Sequence, residues 1–305
     1  MDIVTIILIV SGLILFETVS SIDNAVINAE VLSTMSQKAR KWFLTWGLFI
    51  AVFLLRGLLP LGIVWAVNPS LGITGAFTAA LSSDPAVAEA IESSKHILLG
   101  GGGIFLVFLF FHWLFLEQKN YGLKGERFFH SQGVWFYAVV SVILSVVVYL
   151  AIQKDPLMAF GAVVGSTAFF ITHGFKENAA RAEERLLKKK NTSLSDTSKI
   201  LYLEVIDATF SIDGVVGAFA FTLSVPLILL GNGIGALVVR QVTISNIDRI
   251  KKYLFLKNGA MYSIFFLGFV MLYDGFGGHI PAWVSPVITA TVIGYFFLKS
   301  KKALR

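Results

Sequence analysis

The chain has 305 residues, of which 56% are hydrophobic and only 14% are charged, and it contains no cysteine. Soluble domains carry about 25% charged residues, so this composition excludes a typical soluble domain, a disordered chain and a disulfide scaffold. The formal charge of +6 does not indicate a nucleic-acid partner, because basic residues of membrane proteins collect in cytoplasmic loops. We therefore predict an integral membrane protein whose main partner is the lipid bilayer.

Nine apolar segments follow one another along the chain, and each approaches or exceeds the roughly 20 residues that a helix needs to cross a bilayer. This pattern predicts an all-α fold: a polytopic membrane helix bundle of about nine transmembrane helices. The segments are residues 3–32, 43–67, 97–116, 134–152, 157–175, 200–223, 226–245, 258–274 and 282–298.

The connections between these segments alternate in charge. Basic residues follow every odd-numbered segment, whereas the intervening connections are acidic or short. Because Lys and Arg are concentrated in cytoplasmic loops, we predict a multi-pass protein of the bacterial inner membrane, with the N-terminus outside and the C-terminus in the cytoplasm. The longest basic connection, residues 176–199, is interpreted as a solvated helical hairpin or a flexible cytoplasmic link.

The first and sixth segments carry the same polar string, an acidic residue followed by x3-Ser-Ile-Asp. In each following segment a glycine precedes an arginine by nine positions. The two copies lie five segments apart, an odd number, so they cross the membrane in opposite directions and form an inverted three-helix repeat. The matched positions are Glu17, Ser21 and Asp23 with Asp207, Ser211 and Asp213, then Gly47 and Arg56 with Gly231 and Arg240.

This repeat divides the chain into four predicted parts. Residues 1–116 form the first three-helix repeat, and residues 117–199 form two additional transmembrane helices and the basic link. Residues 200–275 form the second, inverted repeat, and residues 276–305 form the last transmembrane helix and a basic tail.

These polar strings, in this order and with a glycine-rich span that ends in arginine, resemble the TerC family of integral membrane proteins. That family belongs to a broader group with the LysE exporters. One departure is Gly214, where the family pattern frequently has serine. The resemblance implies an association with tellurium resistance and export of manganese.

Four acidic residues inside apolar segments are the candidate ligands: Glu17, Asp23, Asp207 and Asp213. Intramembrane ionisable groups are costly and usually functional. Asp23 is six positions after Glu17, so on an ideal helix it points about 120° away. We therefore expect an unwound turn at this point in both copies, because broken helices let acidic groups converge near the membrane midplane.

Further polar groups are expected to support these ligands. Ser21, Asn24 and Ser211 lie beside them, while Glu204 is either an entry ligand or a solvated residue at a helix end. Four carboxylates and the two arginines, Arg56 and Arg240, leave a charge of minus two, which one divalent cation would balance. Protonation of one or two carboxylates would also balance this charge.

The chemistry of these groups limits the metal. All are hard oxygen donors, which favour magnesium, calcium or manganese, and the TerC resemblance implies Mn(II). The five histidines lie outside the repeated strings, and His112 and His173 are interpreted as interfacial residues near segment ends. No nucleotide-binding, zinc-protease or Ser/His/Asp pattern is present, so we do not expect an enzyme.

The sequence thus predicts a secondary transporter that exports a divalent cation, with Mn(II) preferred, by alternating access and proton exchange. One alternative is a membrane scaffold that recruits cytosolic tellurium-resistance proteins through residues 176–199. Another is export of tellurite or a related oxyanion by the two arginines, although the carboxylates would repel an anion.

Overall fold

A computed structural model describes residues 2–47, 85–188, 195–245 and 250–304, together with isolated positions between 48 and 84. Over these residues the chain forms eleven α-helices and no strand, which confirms the all-α prediction for this part. They are α1 Ile3–Ser20, α2 Ile22–Ser33, α3 Gln37–Trp42, α4 Pro85–Leu116, α5 Lys124–Ser131, α6 Phe136–Ile152, α7 Pro156–Lys188, α8 Asp196–Ala218, α9 Val225–Ser245, α10 Leu256–Gly275 and α11 Val284–Ala303.

Within the described ranges, six helical stretches are long and apolar enough to cross a membrane: Ile3–Ser20, Ser94–Leu116, Gly133–Ile152, Pro156–Glu177, Val225–Thr243 and Leu256–Gly275. They correspond to six of the nine predicted segments. The segment 43–67 lies mostly outside the described residues. The segment 200–223, which carries three acidic residues, corresponds largely to α8, and the segment 282–298 corresponds largely to α11. Nine spans therefore stay a prediction.

Helix α4 lies at the centre of the bundle and packs against α7 and α10. Of its apolar stretch 72% is buried, against 17% for the corresponding stretch of α6. Phenylalanine rings fill the contact, for example Phe110 and Phe265 with centroids 4.3 Å apart. In a bundle this places α4 in the core, whereas α6 has an outer, apolar face suited to lipid.

Glycines bring α4 and α7 close together. A Cβ built at Gly101 would lie 2.7 Å from the carbonyl oxygen of Gly161, and a Cβ at Gly165 would overlap the carbonyl oxygen of Gly101. Small residues at such contacts let helix backbones approach closely. These glycines therefore determine how closely α4 and α7 pack.

The helices that carry the two polar strings pack reciprocally. Helix α1 packs against α9, where a Cβ at Gly231 would lie 2.5 Å from Leu13 Cβ. Helix α8 packs against α3 and the π-helical turn Phe43–Gly47, and Leu203 shares a buried cluster with Phe43. Each polar helix therefore contacts the segment that follows the other one.

The glycine contact predicts a position-specific effect on stability. We expect Gly165→Ala to lower the free energy of unfolding by about 1–3 kcal/mol, because overpacking forces the helices apart. Gly174→Ala, on the same helix, is the control, since a Cβ there meets nothing within 4 Å. Thermal unfolding in detergent, followed by tryptophan fluorescence, measures both; equal midpoints for the two variants would contradict the packing assignment.

Candidate functional site

The first polar string lies at a helix interruption. Helix α1 ends at Ser20, Ser21 has φ −88° and ψ 5°, and α2 begins at Ile22. The predicted unwound turn is present in the first copy only as a break of one residue, because Ser21 N still donates to the Glu17 carbonyl oxygen and Ala25 N donates to that of Ser21. It is wrong for the second copy, because α8 runs unbroken from Asp196 to Ala218 and its backbone carbonyls stay within the helix.

Helices α1 and α2 pair with α8 in antiparallel orientation. Ser36 donates a hydrogen bond to Asp196 over 2.5 Å, and Lys199 donates one to the carbonyl oxygen of Thr34 over 2.8 Å. Further along, Asn28 contacts Asp207. Residue numbers rise along α2 where they fall along α8. The two polar strings therefore lie side by side and run antiparallel.

Asp207 lies at the middle of this contact and is only 3% exposed. Its Oδ1 accepts hydrogen bonds from Asn24 Nδ2 over 2.6 Å and from Asn28 Nδ2 over 3.0 Å. The two amides lie one turn apart on α2, so a single helix face supplies both donors. The contact therefore joins two parts of the chain that are far apart in sequence through one buried carboxylate.

Glu17 lies between α8 and α9 and is 1% exposed. Its Oε1 accepts a hydrogen bond of 2.7 Å from Ser21. A Cβ at Gly214 would lie 2.7 Å from Glu17 Oε2, and one at Gly235 would lie 2.7 Å from Glu17 Cβ. The glycine at 214 therefore leaves room for this carboxylate, which gives a physical reason for the departure from the TerC pattern.

Glu204 lies one turn before Asp207 on α8. A Cβ at Gly47 would lie 2.5 Å from Glu204 Oε1, so the carboxylate lies against the π-helical turn. Both of its oxygens are buried and accept no hydrogen bond from a described residue. Glu204 is therefore not a solvated residue at a helix end, and its role as an entry ligand stays a prediction.

We call these residues the acid–amide cluster: Glu17, Ser21, Asn24, Asn28, Glu204, Asp207 and Ser211. Like Glu204, the amide oxygens Oδ1 of Asn24 and Asn28 are buried and have no hydrogen-bond partner in the described part of the chain. Buried polar atoms are normally satisfied, so unpaired oxygens need an explanation. Ser211 donates to the backbone carbonyl of Asp207 on its own helix.

The other two predicted ligands lie elsewhere. Asp23 Oδ2 is 2.7 Å from Lys257 Nζ, and that ammonium is also 2.7 Å from Glu117 Oε2. Asp213 forms an ion pair with Lys176. We call Asp23, Glu117, Lys176, Asp213 and Lys257 the lysine–acid network.

The structure thus divides the four predicted ligands into two pairs, instead of bringing all four to one point. In the described part of the chain, no three His, Asp or Glu side chains are grouped so that they could hold a metal ion. The separation follows from helix geometry, because an offset of six residues directs Asp23 away from Glu17 and Asp213 away from Asp207.

The arginines differ from the lysines. Arg240 is partly exposed and forms no ion pair with a described residue, and Arg56 lies outside the described residues. Lys176 and Lys257 therefore take, in the described part, the charge-balancing role predicted for the arginines. The sequence analysis missed both lysines because each lies at the end of an apolar segment, where solvated basic residues are common.

Glu117 follows the apolar stretch of α4 directly. Its burial alone would raise its pKa, but the neighbouring His112 imidazole and Lys257 ammonium hold the pKa well below its usual range. Glu117 is therefore ionised at neutral pH. The network consequently has one ammonium shared by two carboxylates.

The room that Gly214 leaves for Glu17 can be tested by a double-mutant cycle. We expect Gly214→Ala to destabilise the parent protein because the new methyl group crowds Glu17, but not a Glu17→Ala background, with a coupling of about 0.5–3 kcal/mol. Gly233→Ala, where a Cβ meets nothing within 4 Å, is the matched control. Thermal unfolding in detergent measures all variants, and a coupling of zero would mean that these groups do not meet.

Comparison with known proteins identifies a family that this chain matches. A family model described as "Protein of unknown function (DUF475)" matches residues 22–305, which include Asp23, Asn24, Asn28 and the whole of α8 but not Glu17 or Ser21. No curated protein and no solved structure matches the chain. By this match over most of its length, the chain belongs to the DUF475 family.

Proposed function

We propose that this protein is a secondary transporter that exports a divalent metal cation, Mn(II) in preference to Ca(II) or Mg(II), across the bacterial inner membrane. The observation that carries the proposal is a set of oxygens near Asp207 that are buried and have no hydrogen-bond partner among the described residues: Asn24 Oδ1, Asn28 Oδ1 and both oxygens of Glu204. Carboxylate and amide oxygens are the ligands that hard divalent cations prefer.

The proposed ligands are Asp207 and Glu17, supported by Asn24, Asn28 and Glu204. A cation beside Asp207 would satisfy the unpaired amide and carboxylate oxygens, which now cost free energy. Asp23 and Asp213 remain predicted ligands for another step of the cycle, in which each exchanges its lysine for the cation. An internal ammonium that replaces the cation keeps a carboxylate neutralised when no metal is bound.

An inverted repeat would supply the alternating access that transport needs. Two features support it: α1 and α2 pair antiparallel with α8, and each of these polar segments packs against the helix that follows the other. The proposed orientation puts the basic connections in the cytoplasm. The resemblance to the TerC family favours Mn(II) within the class of hard cations.

Flux through purified protein in liposomes tests this proposal. We expect Asp207→Asn and Glu17→Gln to lower Mn(II) flux by about tenfold or more, since ligand-shell changes typically cost 10–100-fold in metal affinity or activity. Glu30→Gln is the matched control, because Glu30 lies on α2 but pairs with Lys251 at the surface. The proposal fails if the parent moves no more Mn(II) than empty liposomes, or if Asp207→Asn transports as fast as the parent.

A scaffold for cytosolic tellurium-resistance proteins is a second candidate. Helix α7 continues to Lys188, 11 residues beyond the apolar stretch that ends at Glu177. These residues add about 16 Å of helix at 1.5 Å per residue. With the following Lys189 and Lys190, the basic residues of this segment are a suitable contact for an acidic cytosolic partner.

Replacement of residues 178–194 by a Gly/Ser linker of equal length separates the two functions. A scaffold would lose tellurite resistance in cells and keep its cation flux in liposomes. A scrambled segment with the same net charge is the control for charge alone. Unchanged resistance after the replacement would contradict the scaffold.

A further inference from the structure

Two histidines that the proposed function does not use lie in contact between α4 and α7. The ring centroids of His112 and His173 are 3.7 Å apart, with the planes tilted by 52°. Their surroundings are aromatic: Phe169 stacks on His173, and Phe136 meets His112 edge-on. His112 is 7% exposed, so the structure buries it more deeply than the interfacial position expected from the sequence.

Each histidine faces a carboxylate. His112 Nδ1 is 3.5 Å from Glu117 Oε1, and His173 Nε2 is 3.5 Å from Glu177 Oε1. These separations are long for hydrogen bonds, and His112 Nδ1 is buried and forms no hydrogen bond within the described ranges. A proton on this nitrogen would meet a carboxylate directly.

The pair is suited to bind a single proton. Imidazole is the side chain that ordinarily titrates near neutral pH. Two imidazolium rings in contact repel each other, so the first proton weakens binding of the second. The carboxylates at both ends favour one positive charge, whereas burial among aromatic rings disfavours any charge that is not compensated in this way.

The lysine–acid network links this pair to the first polar string. Lys257 shares its ammonium between Asp23 and Glu117, at 2.7 Å from each. From α7, Lys176 also faces the region, where it pairs with Asp213 of α8. The charged groups around the pair are therefore Glu117 directly after α4, Lys176 and Glu177 on α7, Asp213 on α8, Lys257 on α10 and Asp23 on α2.

We propose that His112 and His173 together form the binding site of the coupling proton in cation exchange, an inference that rests on the proposed transport function. When the pair is protonated, the imidazolium neutralises Glu117 and Lys257 stays with Asp23. When the proton leaves, Glu117 attracts Lys257 and Asp23 becomes available to a cation. Proton and cation binding then oppose each other, as an exchanger requires.

Glu177 is the outlet of this site, by which we mean the group through which the proton reaches water. Its side chain is 55% exposed, against 9% for His112 and 22% for His173. It lies where α7 leaves the apolar stretch and enters the basic segment. One proton bound on an imidazole nitrogen is therefore released to water on the side of the basic connections, while one cation moves the opposite way.

The test compares His112→Gln and His173→Gln with the parent in liposomes. Mn(II) flux is measured with and without a pH gradient that is acidic on the side towards which Mn(II) moves. We expect the gradient to accelerate Mn(II) flux through the parent and through the control His130→Gln. His130 contacts Tyr121 on the surface. Both pair variants should lose this acceleration and keep Mn(II)/Mn(II) exchange at equal pH, which shows that they are folded.

The outcomes separate the two proposals. If the parent moves no Mn(II), the transport function fails and the proton site falls with it. If the pH gradient accelerates Mn(II) flux equally in the parent and in both pair variants, the proton site is overturned while the transport function stands. If His112→Gln does not fold, the less buried His173→Gln decides.

A third variant gives a measurement, the pH dependence of flux, that would not change if the histidine pair had only a structural role. Glu177→Gln removes a negative charge that favours the protonated pair. The midpoint of the pH dependence of flux should therefore shift to lower pH, with maximal flux retained. An unchanged midpoint would contradict the assignment of Glu177 as the outlet.

Discussion

The cost of placing carboxylates between apolar helices is the constraint on which this structure depends. An ionised acid in the bilayer interior costs at least about 2.5 kcal/mol unless a partner compensates. The protein meets this cost in two ways. Asp207 accepts hydrogen bonds from two asparagine amides, whereas Asp23 and Asp213 pair with lysines.

Both solutions require α1 and α2 to lie antiparallel against α8. This pairing sets Asn24 and Asn28 opposite Asp207, and it directs Glu17 into the space left by Gly214 and Gly235. The unpaired amide and carboxylate oxygens in the same contact are unfavourable for stability. Proteins tolerate such local conflicts mainly at functional sites, which is why we propose the acid–amide cluster as the position of a cation.

The lysine–acid network connects this region to the centre of the bundle. Lys257 lies in the first turn of α10, Asp23 lies on α2 and Glu117 directly follows α4. The ammonium of Lys257 therefore connects α10 with α2 and with the end of α4. Helices that exchange one charged partner between two acids have two discrete arrangements, which is the physical requirement for coupling between sites. The histidine pair lies beside the acid that would take part in such an exchange.

Much of this organisation could be predicted from the sequence because it is local. The apolar segments predict helices, and the two acidic strings predict a polar contact. The offset of six residues already indicates that Asp23 points away from Glu17. The same offset led to the wrong expectation of a second helix break, because convergence of all four acids was assumed.

Only the tertiary structure decided the partners of these acids. Lys257 lies 234 positions after Asp23, and His173 lies 61 positions after His112, so no helical period relates them. Their contacts depend on how the helices pack, and glycine contacts such as that of Gly101 with Gly165 set this packing across long sequence separations. The sequence by itself determined which residues are helical, buried and polar. Packing between distant helices determined which lysine or asparagine pairs with each acid, because complementary helix surfaces, and not neighbours in the chain, supply these partners.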